Sequence, residues 1–477
     1  MERMSGADAM MLYLDRPRAY NHTIKMSILD PATDSEGWSW LRFKKAFSSR
    51  VVLVPRLRQR YLAVPLGLNH PVWVDDPEFN IDCHLKRVGC PAPGSMVELC
   101  EVVGELYAQR LDHTKPLWQV WVIEGLEGGR VCVLLLIHHA ITDGVGILQI
   151  LNTFWKSKSG DLVYPAEARW HPPPLPGKWR LLRDGLRDLP GVLRSNLPGA
   201  IRGIRAGRQL AREMERAGQQ APPGPGSSGY DAPYACQSSA RRLFAARPYA
   251  LERFKRISKA LGTTLNDVFL ACAAGALRHQ LTAVNGTPPL QPMIATVPFA
   301  LLPLSERTRD GNFSTTDFTV LHSQIADPLE RLMACRESAL VMKAHFEATR
   351  EANLGALLNL LPPAVPKLVD RLNEIKGGGM LPFWNVVVSN VPGPRERLKL
   401  GSLELAEWYS IGQIAHGAAL NITGWSYGDG FNVCILTDPE VLADPWPVMD
   451  AFGRCLDELD SIGMAGQTAA LASPEMA

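Results

Sequence analysis

Val131-Cys132-Val133-Leu134-Leu135-Leu136-Ile137-His138-His139-Ala140-Ile141-Thr142-Asp143-Gly144 joins an apolar run to a polar, turn-forming end. Seven consecutive apolar residues predict a buried strand over 131–137. Successive side chains of a strand face opposite ways. His138 and His139 therefore serve different sides, one imidazole working at a site and the other structural, which argues against a two-histidine metal site. Downstream, Val145, Ile147, Leu148, Ile150, Leu151, Phe154 and Trp155 fall at helical spacing. That predicts a helix with Asp143 as its N-cap and Gly144 beside it. The pair thus stands at a strand end next to a helix N-terminus, where the dipole favours developing negative charge.

An imidazole with an ordinary pKa near 6.5 is suited to taking a proton from an alcohol at neutral pH. Other catalytic signatures are absent. The chain has no Gly-x-Ser-x-Gly elbow, no Walker loop, no His-Glu-x-x-His and no dinucleotide fingerprint. What remains is direct transfer: a base, a hydroxyl acceptor and an activated acyl donor.

Outside this stretch the chain divides by texture. Residues 1–165 mix short apolar runs with helical patterns, with strands expected at 120–123 and 131–137. Residues 166–235 are rich in Pro and Gly and read as a linker. Residues 236–465 return to strands, at 294–297, 386–388 and 431–436, and helices, at 265–281 and 328–345. Residues 466–477 are small and polar and are expected to be disordered. Two α/β lobes joined by a linker follow.

The 477 residues carry a net charge of only +2, so the chain as a whole is no polyanion binder and no nucleic-acid partner is expected. Nine scattered cysteines without a C-x-x-C indicate a reducing compartment. His84 beside Cys83 lacks metal-ligand spacing, and no metal is expected. The opening Met1-Glu2-Arg3-Met4-Ser5-Gly6 is no secretory signal, and 131–137 falls far short of the roughly 20 residues that span a bilayer. The expected location is cytoplasmic, peripherally associated with the inner face of the membrane or with lipid droplets. Within the linker, residues 177–216 hold ten Lys/Arg and four Asp/Glu, a local excess of 10 − 4 = +6. Apolar residues there recur at steps of three or four, with breaks expected at Pro190 and Pro198. A basic amphipathic helix of this kind suits an anionic lipid surface, or it is a solvated helix packed across the lobes.

His138-His139-x-x-x-Asp143-Gly144 resembles the H-H-x-x-x-D-G signature of the chloramphenicol acetyltransferase-like superfamily, and the chain is most similar to its bacterial wax ester synthase/diacylglycerol acyltransferase branch. Other stretches agree in order: Met4-Ser5-Gly6-Ala7-Asp8-Ala9, Pro116-Leu117-Trp118, Asn266-Asp267-Val268, Gly311-Asn312 and Ser389-Asn390-Val391-Pro392-Gly393-Pro394. The likeness spans about residues 4–455. It implies an α/β fold of two chloramphenicol acetyltransferase-like lobes, each a mixed sheet backed by helices, with an active-site tunnel between them. It implies that His139 is the general base that deprotonates the acceptor hydroxyl, which then attacks an acyl-CoA thioester. His138 and Asp143 would hold the loop, and Gly144 would leave room for the thioester. Asn266 would lie near the reaction centre, or be only a helix N-cap. Pro116, Leu117 and Trp118 would shape the channel wall, or simply pack. Asn390 and Gly393 read as a tight turn.

One departure stands out. Where the family usually has a basic residue after Val297-Pro298, this chain has Phe299-Ala300-Leu301-Leu302, so Asp143 needs another partner, with Arg307 or Arg309 as candidates. The resemblance implies acyl-CoA as co-substrate, no cofactor, and diacylglycerol or a fatty alcohol as acceptor. The apolar stretch Leu354–Leu372, broken by Pro362, Pro363 and Pro366, would line a long-chain pocket, touch lipid or be ordinary core, with a hinge at Gly377–Gly379 behind it. The competing readings are acyl transfer to a small alcohol or amine, and a non-catalytic lipid or acyl-CoA binder of the same fold. The oligomeric state is not legible.

Overall fold

The computed structural model describes the chain except residues 16–17, 157–171, 217, 219–221, 225–232, 235–238, 303, 307–310, 350–353, 367, 369–383, 415–417 and 473–477. Two six-stranded sheets form its centre. The first runs, edge to edge, through Lys399–Leu400, Leu403–Ile411, His22–Asp30, Val131–His138, Trp118–Glu124 and Leu85–Gly89. The second runs through Ser314–Leu321, Met293–Ala300, Val386–Val391, Leu420–Tyr427, Gly430–Thr437 and Leu243–Ala250. Both are mixed: Val386–Val391 lies parallel to both its neighbours, whereas Val131–His138 is antiparallel to both of its own.

The motif strand Val131–His138 is buried along its whole length, as a continuous apolar run in mid-sheet requires. The predicted strands and helices all appear, most with ends extended by a few residues. Two expectations change. Lys178–Arg216 is one 39-residue helix, uninterrupted at Pro190 and Pro198. Pro190 and Pro198 are both exposed, so the carbonyls that lose an N–H partner face solvent and the helix continues through them. The final helix, Trp446–Ala472, runs into the stretch 466–477 read as a disordered tail, where Ala469, Ala470 and Ala472 are strong helix formers; residues 473–477 lie outside the described residues.

The sheets do not follow the division at 166–235. Residues 399–411, late in the chain, pair with His22–Asp30 and complete the first sheet. Leu403–Ile411 is thereby the bridge between the halves. Trp408 on it packs at 5.2 Å against Trp425 of the second sheet, and both rings are fully buried. Asn432 Nδ2 donates to the Trp408 carbonyl at 2.7 Å, and the Tyr427 hydroxyl donates to the Leu405 carbonyl at 2.9 Å. The motif loop lies at this seam.

Candidate active site

His138 and His139 diverge as strand alternation requires. His138 is fully buried. Its Nδ1 accepts the N–H of Ala140 at 3.0 Å, so the neutral ring carries its proton on Nε2, which faces Asp15 Oδ1 at 3.6 Å. His113 Nε2 approaches the other Asp15 oxygen at 3.2 Å, and the Tyr61 hydroxyl pairs with His113 Nδ1 at 2.9 Å. Asp15, His113 and His138 bring one potential ligand atom each within 4.8 Å of one another. The donor chemistry does not fit a metal ion, because one nitrogen of His138 is engaged by Ala140 and the other holds the proton. The cluster is a scaffold. Burial pushes the Asp15 carboxyl up, but the nearby His113 and His138 rings and the Asn21 N–H hold it well below the usual range. Asp15 Oδ1 also accepts the N–H of Asn21 at 2.7 Å, and the Asn21 carbonyl accepts the N–H of His139 at 2.7 Å. The structural histidine's cluster therefore fixes the backbone of the other.

His139 is half-buried at the seam between the sheets. Its Nδ1 lies 2.8 Å from Asn312 Oδ1. The amide of Asn312 has a defined orientation. Its Nδ2 donates to Asp8 Oδ1 and to the His139 carbonyl, both at 2.8 Å, and its backbone N–H donates to the same Asp8 oxygen at 2.7 Å. Oδ1 is therefore the acceptor, His139 carries its proton on Nδ1, and Nε2 has a free lone pair. Gly311 precedes Asn312 with φ of 125°, a backbone that favours glycine and turns the chain so that amide and side chain both reach Asp8. Asp8 is 2% exposed on the N-terminal helix Gly6–Tyr13, and Ser5, the cap of that helix, donates its hydroxyl to Asp8 Oδ2 at 2.6 Å.

Asp143 completes the clamp. Its Oδ1 accepts the N–H groups of Val145 and Gly146 at 3.1 and 2.6 Å, and Oδ2 accepts the N–H of Phe313 at 2.7 Å. The helix begins at Gly146, two residues later than read from the sequence, with Asp143 still serving its first turn. Among the described residues, Asp143 thus reaches the second half of the chain through the Phe313 backbone; Arg307 and Arg309 lie outside the described residues. Burial pushes the His139 pKa below its ordinary value; Asp143 opposes the shift and Lys25 adds to it. Lys25, unremarkable in the sequence, is buried at the seam with Nζ donating to Ser410 Oγ at 2.6 Å and 5.6 Å from the Trp425 ring centroid. Burial lowers its pKa to about 7.

The remaining expected residues fall on both sides of the seam. Among the described residues, a Cβ added to Gly144 would meet only Val391 Cγ2, at 4.0 Å, so space adjoins the motif loop there. Val391 follows Asn390, whose Nδ2 donates to Asn266 Oδ1 at 3.4 Å. Asn266 is not the helix cap: Thr264 and Asp267 form a capping box around Leu265–Asn285, and Asn266 points instead to Asn390. Asn390 lies within the strand Val386–Val391, not in a turn. Leu117 and Trp118 are fully buried in the core of the first sheet rather than on an open wall. Trp118 stacks on His84 at 4.4 Å and donates Nε1 to the Leu57 carbonyl, while the Leu117 carbonyl accepts the N–H of His138. This triplet, with Pro116 also buried, supports the motif from behind. The helix Leu354–Leu360 is present, and Gly377–Gly379 lies outside the described residues.

Two mixed sheets meeting at a loop that carries adjacent histidines form an α/β fold that several solved structures share. The first condensation domain of the calcium-dependent antibiotic synthetase is similar, with a TM-score of 0.59, 15% identity and coverage of 97% of this chain and 96% of that one. The wax ester synthase/diacylglycerol acyltransferase from Marinobacter aquaeolei VT8 is similar with a TM-score of 0.66, 23% identity and coverage of 97% and 99%. These likenesses concern the fold. Residues 4–269 match the wax ester synthase/diacylglycerol acyltransferase catalytic domain, and residues 311–460 match that family's C-terminal domain. A Mycobacterium tuberculosis (strain H37Rv) protein provisionally named a diacylglycerol O-acyltransferase is 45% identical over 469 residues, covering 98% of this chain and 99% of that one. The chain belongs to the wax ester synthase/diacylglycerol acyltransferase family.

Proposed function

We propose that this acyl-CoA-dependent acyltransferase moves a long-chain acyl group onto the hydroxyl of diacylglycerol, a fatty alcohol, or both, with His139 as general base. Family membership supports the reaction type, and the orientation of Asn312 carries the assignment of the base. With Nδ1–H tied to Asn312, Nε2 takes the proton of the acceptor hydroxyl as its oxygen attacks the thioester carbonyl. A new C–O bond forms, the tetrahedral oxyanion collapses, the C–S bond breaks, and the CoA thiolate recovers the proton from the imidazolium. The products are an ester and free CoA, and no group outside the two substrates enters the balance. A pKa held below the ordinary value by burial keeps His139 in its base form at neutral pH. Space beside Gly144 leaves room for the thioester.

Water-insoluble acceptors place the reaction at a lipid surface, and we infer a peripheral position on the cytoplasmic face of a membrane or on lipid droplets. Turnover of labelled long-chain acyl-CoA with diacylglycerol and hexadecanol side by side tests the reading. Ester formation matched by CoA release on at least one of them is expected. Transfer only to soluble amines, or acyl-CoA binding with no turnover on any alcohol, overturns it.

A further inference from the structure

The helix Lys178–Arg216 is only partly docked. Leu181 packs with Val72 and Val74 of a small third sheet, formed by Glu2–Arg3, Val72–Asp75 and Gln59–Leu62, and Gly185, Ala200 and Gly203 are buried. Its anchors are polar: Asn69 Nδ2 donates to the Gly185 carbonyl at 3.1 Å, Arg3 pairs with Asp188 at 2.5 Å, and Asn359 Nδ2 donates to Asn196 Oδ1 at 2.9 Å. Away from this contact, Trp179, Leu186, Leu193, Leu197, Ile201 and Ile204 stand between 41% and 84% exposed. Steps of seven, seven, four, four and three residues keep them within roughly 40° of one line along the helix, since each residue turns it by about 100°. Solvent contact is a poor setting for six large apolar side chains in a row.

Arginines border that line on the side away from the protein. Arg187, Arg194, Arg205, Arg208 and Arg212 are exposed and make no ion pair with an acidic side chain among the described residues. An apolar stripe beside a guanidinium row is the pattern of a helix lying in the plane of an anionic interface, with rings and branched chains below the headgroups and cations at phosphate level.

We propose that the exposed face of Lys178–Arg216 docks the enzyme on the anionic leaflet of a phospholipid bilayer. The proposal rests on the reading that the acceptor is a lipid, and it gives that reading a defined contact surface and orientation. The anchors also join the docked helix to the site. Asn359, which holds Asn196, accepts the N–H of Gly6 at 2.6 Å. Gly6 opens the helix that carries Asp8, the partner of Asn312. The docked surface and the base-orienting residue therefore share one hydrogen-bonded support.

The test is flotation of the full chain with phosphatidylcholine vesicles, with and without phosphatidylglycerol. Wild type is expected to float with the anionic vesicles and to be released by high salt. A Leu186→Ser/Leu193→Ser/Leu197→Ser/Ile201→Ser variant, and separately an Arg194→Glu/Arg205→Glu/Arg208→Glu variant, should bind about a hundredfold more weakly or worse. Both should keep acyl transfer to a detergent-dispersed acceptor, which shows that they fold. Equal flotation of wild type and both variants overturns the proposal. So does failure of wild type to bind, or a stripe that mediates a dimer in light scattering without vesicle binding. Vesicle binding by a protein that turns over no acyl-CoA would leave the docking face standing and sink the enzymatic reading alone.

Discussion

In the proposed reaction, His139 is made a base by its neighbours rather than by its own chemistry. Asn312 decides which nitrogen holds the proton, Asp8 decides which way the Asn312 amide points, and the Asn21 carbonyl holds the His139 backbone. Replacing Asn312 with Leu keeps the volume but frees the tautomer. We expect kcat to fall about 10²-fold while KM for acyl-CoA stays within a factor of about two. A larger rise in KM than fall in kcat would make Asn312 a binding residue instead. A base is active only when unprotonated, and burial lowers the His139 pKa, so activity is lost only as pH falls below the ordinary histidine value of about 6.5. An acid limb in kcat/KM above that value would contradict this environment. The two histidines and Asp143 are legible from alternation and helix spacing. Asn312, Asp8 and Lys25 are not, because no local pattern announces a contact spanning 173 or 304 positions of the chain. Gly311-Asn312 and the segment around Asp8 are visible only as pieces of a family likeness.

The N-terminal helix Gly6–Tyr13 shows how an element carries a residue to its place. A Cβ on Gly6 would come within 2.2 Å of the Leu358 backbone carbon, so this helix and Leu354–Leu360 touch at a point that admits no side chain. Backbone cannot move aside as a flexible side chain would. Gly6→Ala should therefore cost about 1–3 kcal/mol of stability, read as a lower urea midpoint, and should lower kcat as well because Asp8 shifts with its helix. Unchanged stability would show that the two helices separate easily. The helix Lys178–Arg216 illustrates the opposite limit of sequence reading. Its amphipathic spacing is plain, but its continuity through Pro190 and Pro198 depends on those residues facing water, which the sequence does not reveal. Trp118 is similar: its place in the chain is clear, while its burial against His84 is a tertiary fact.

At the scale of the molecule, the two α/β halves are entwined. Alternating textures and a central basic segment predict two lobes, and two sheets are present. Nothing local indicates that Leu403–Ile411 crosses back to pair with His22–Asp30, because pairing partners far apart in sequence leave no periodic trace. A fragment ending at residue 235 would leave His22–Asp30 as a bare sheet edge, with Ile24, Met26 and Ile28 uncovered on it. We expect it to aggregate when expressed alone and to be rescued by co-expression with residues 236–477, followed by solubility and circular dichroism. A soluble, folded fragment would mean that the first sheet is self-sufficient. The same crossing explains the location of the site: His139 comes from one half and Asn312 and Phe313 from the other, and the clamp exists only when both sheets are joined. The central claim is that one imidazole nitrogen, Nε2 of His139, removes the acceptor proton. Single-turnover transfer from labelled acyl-CoA by His139→Ala, with acyl-CoA affinity measured on the same preparation, tests it most directly. The account predicts unchanged affinity and a rate lower by about 10³-fold or more; transfer at the wild-type rate would contradict it.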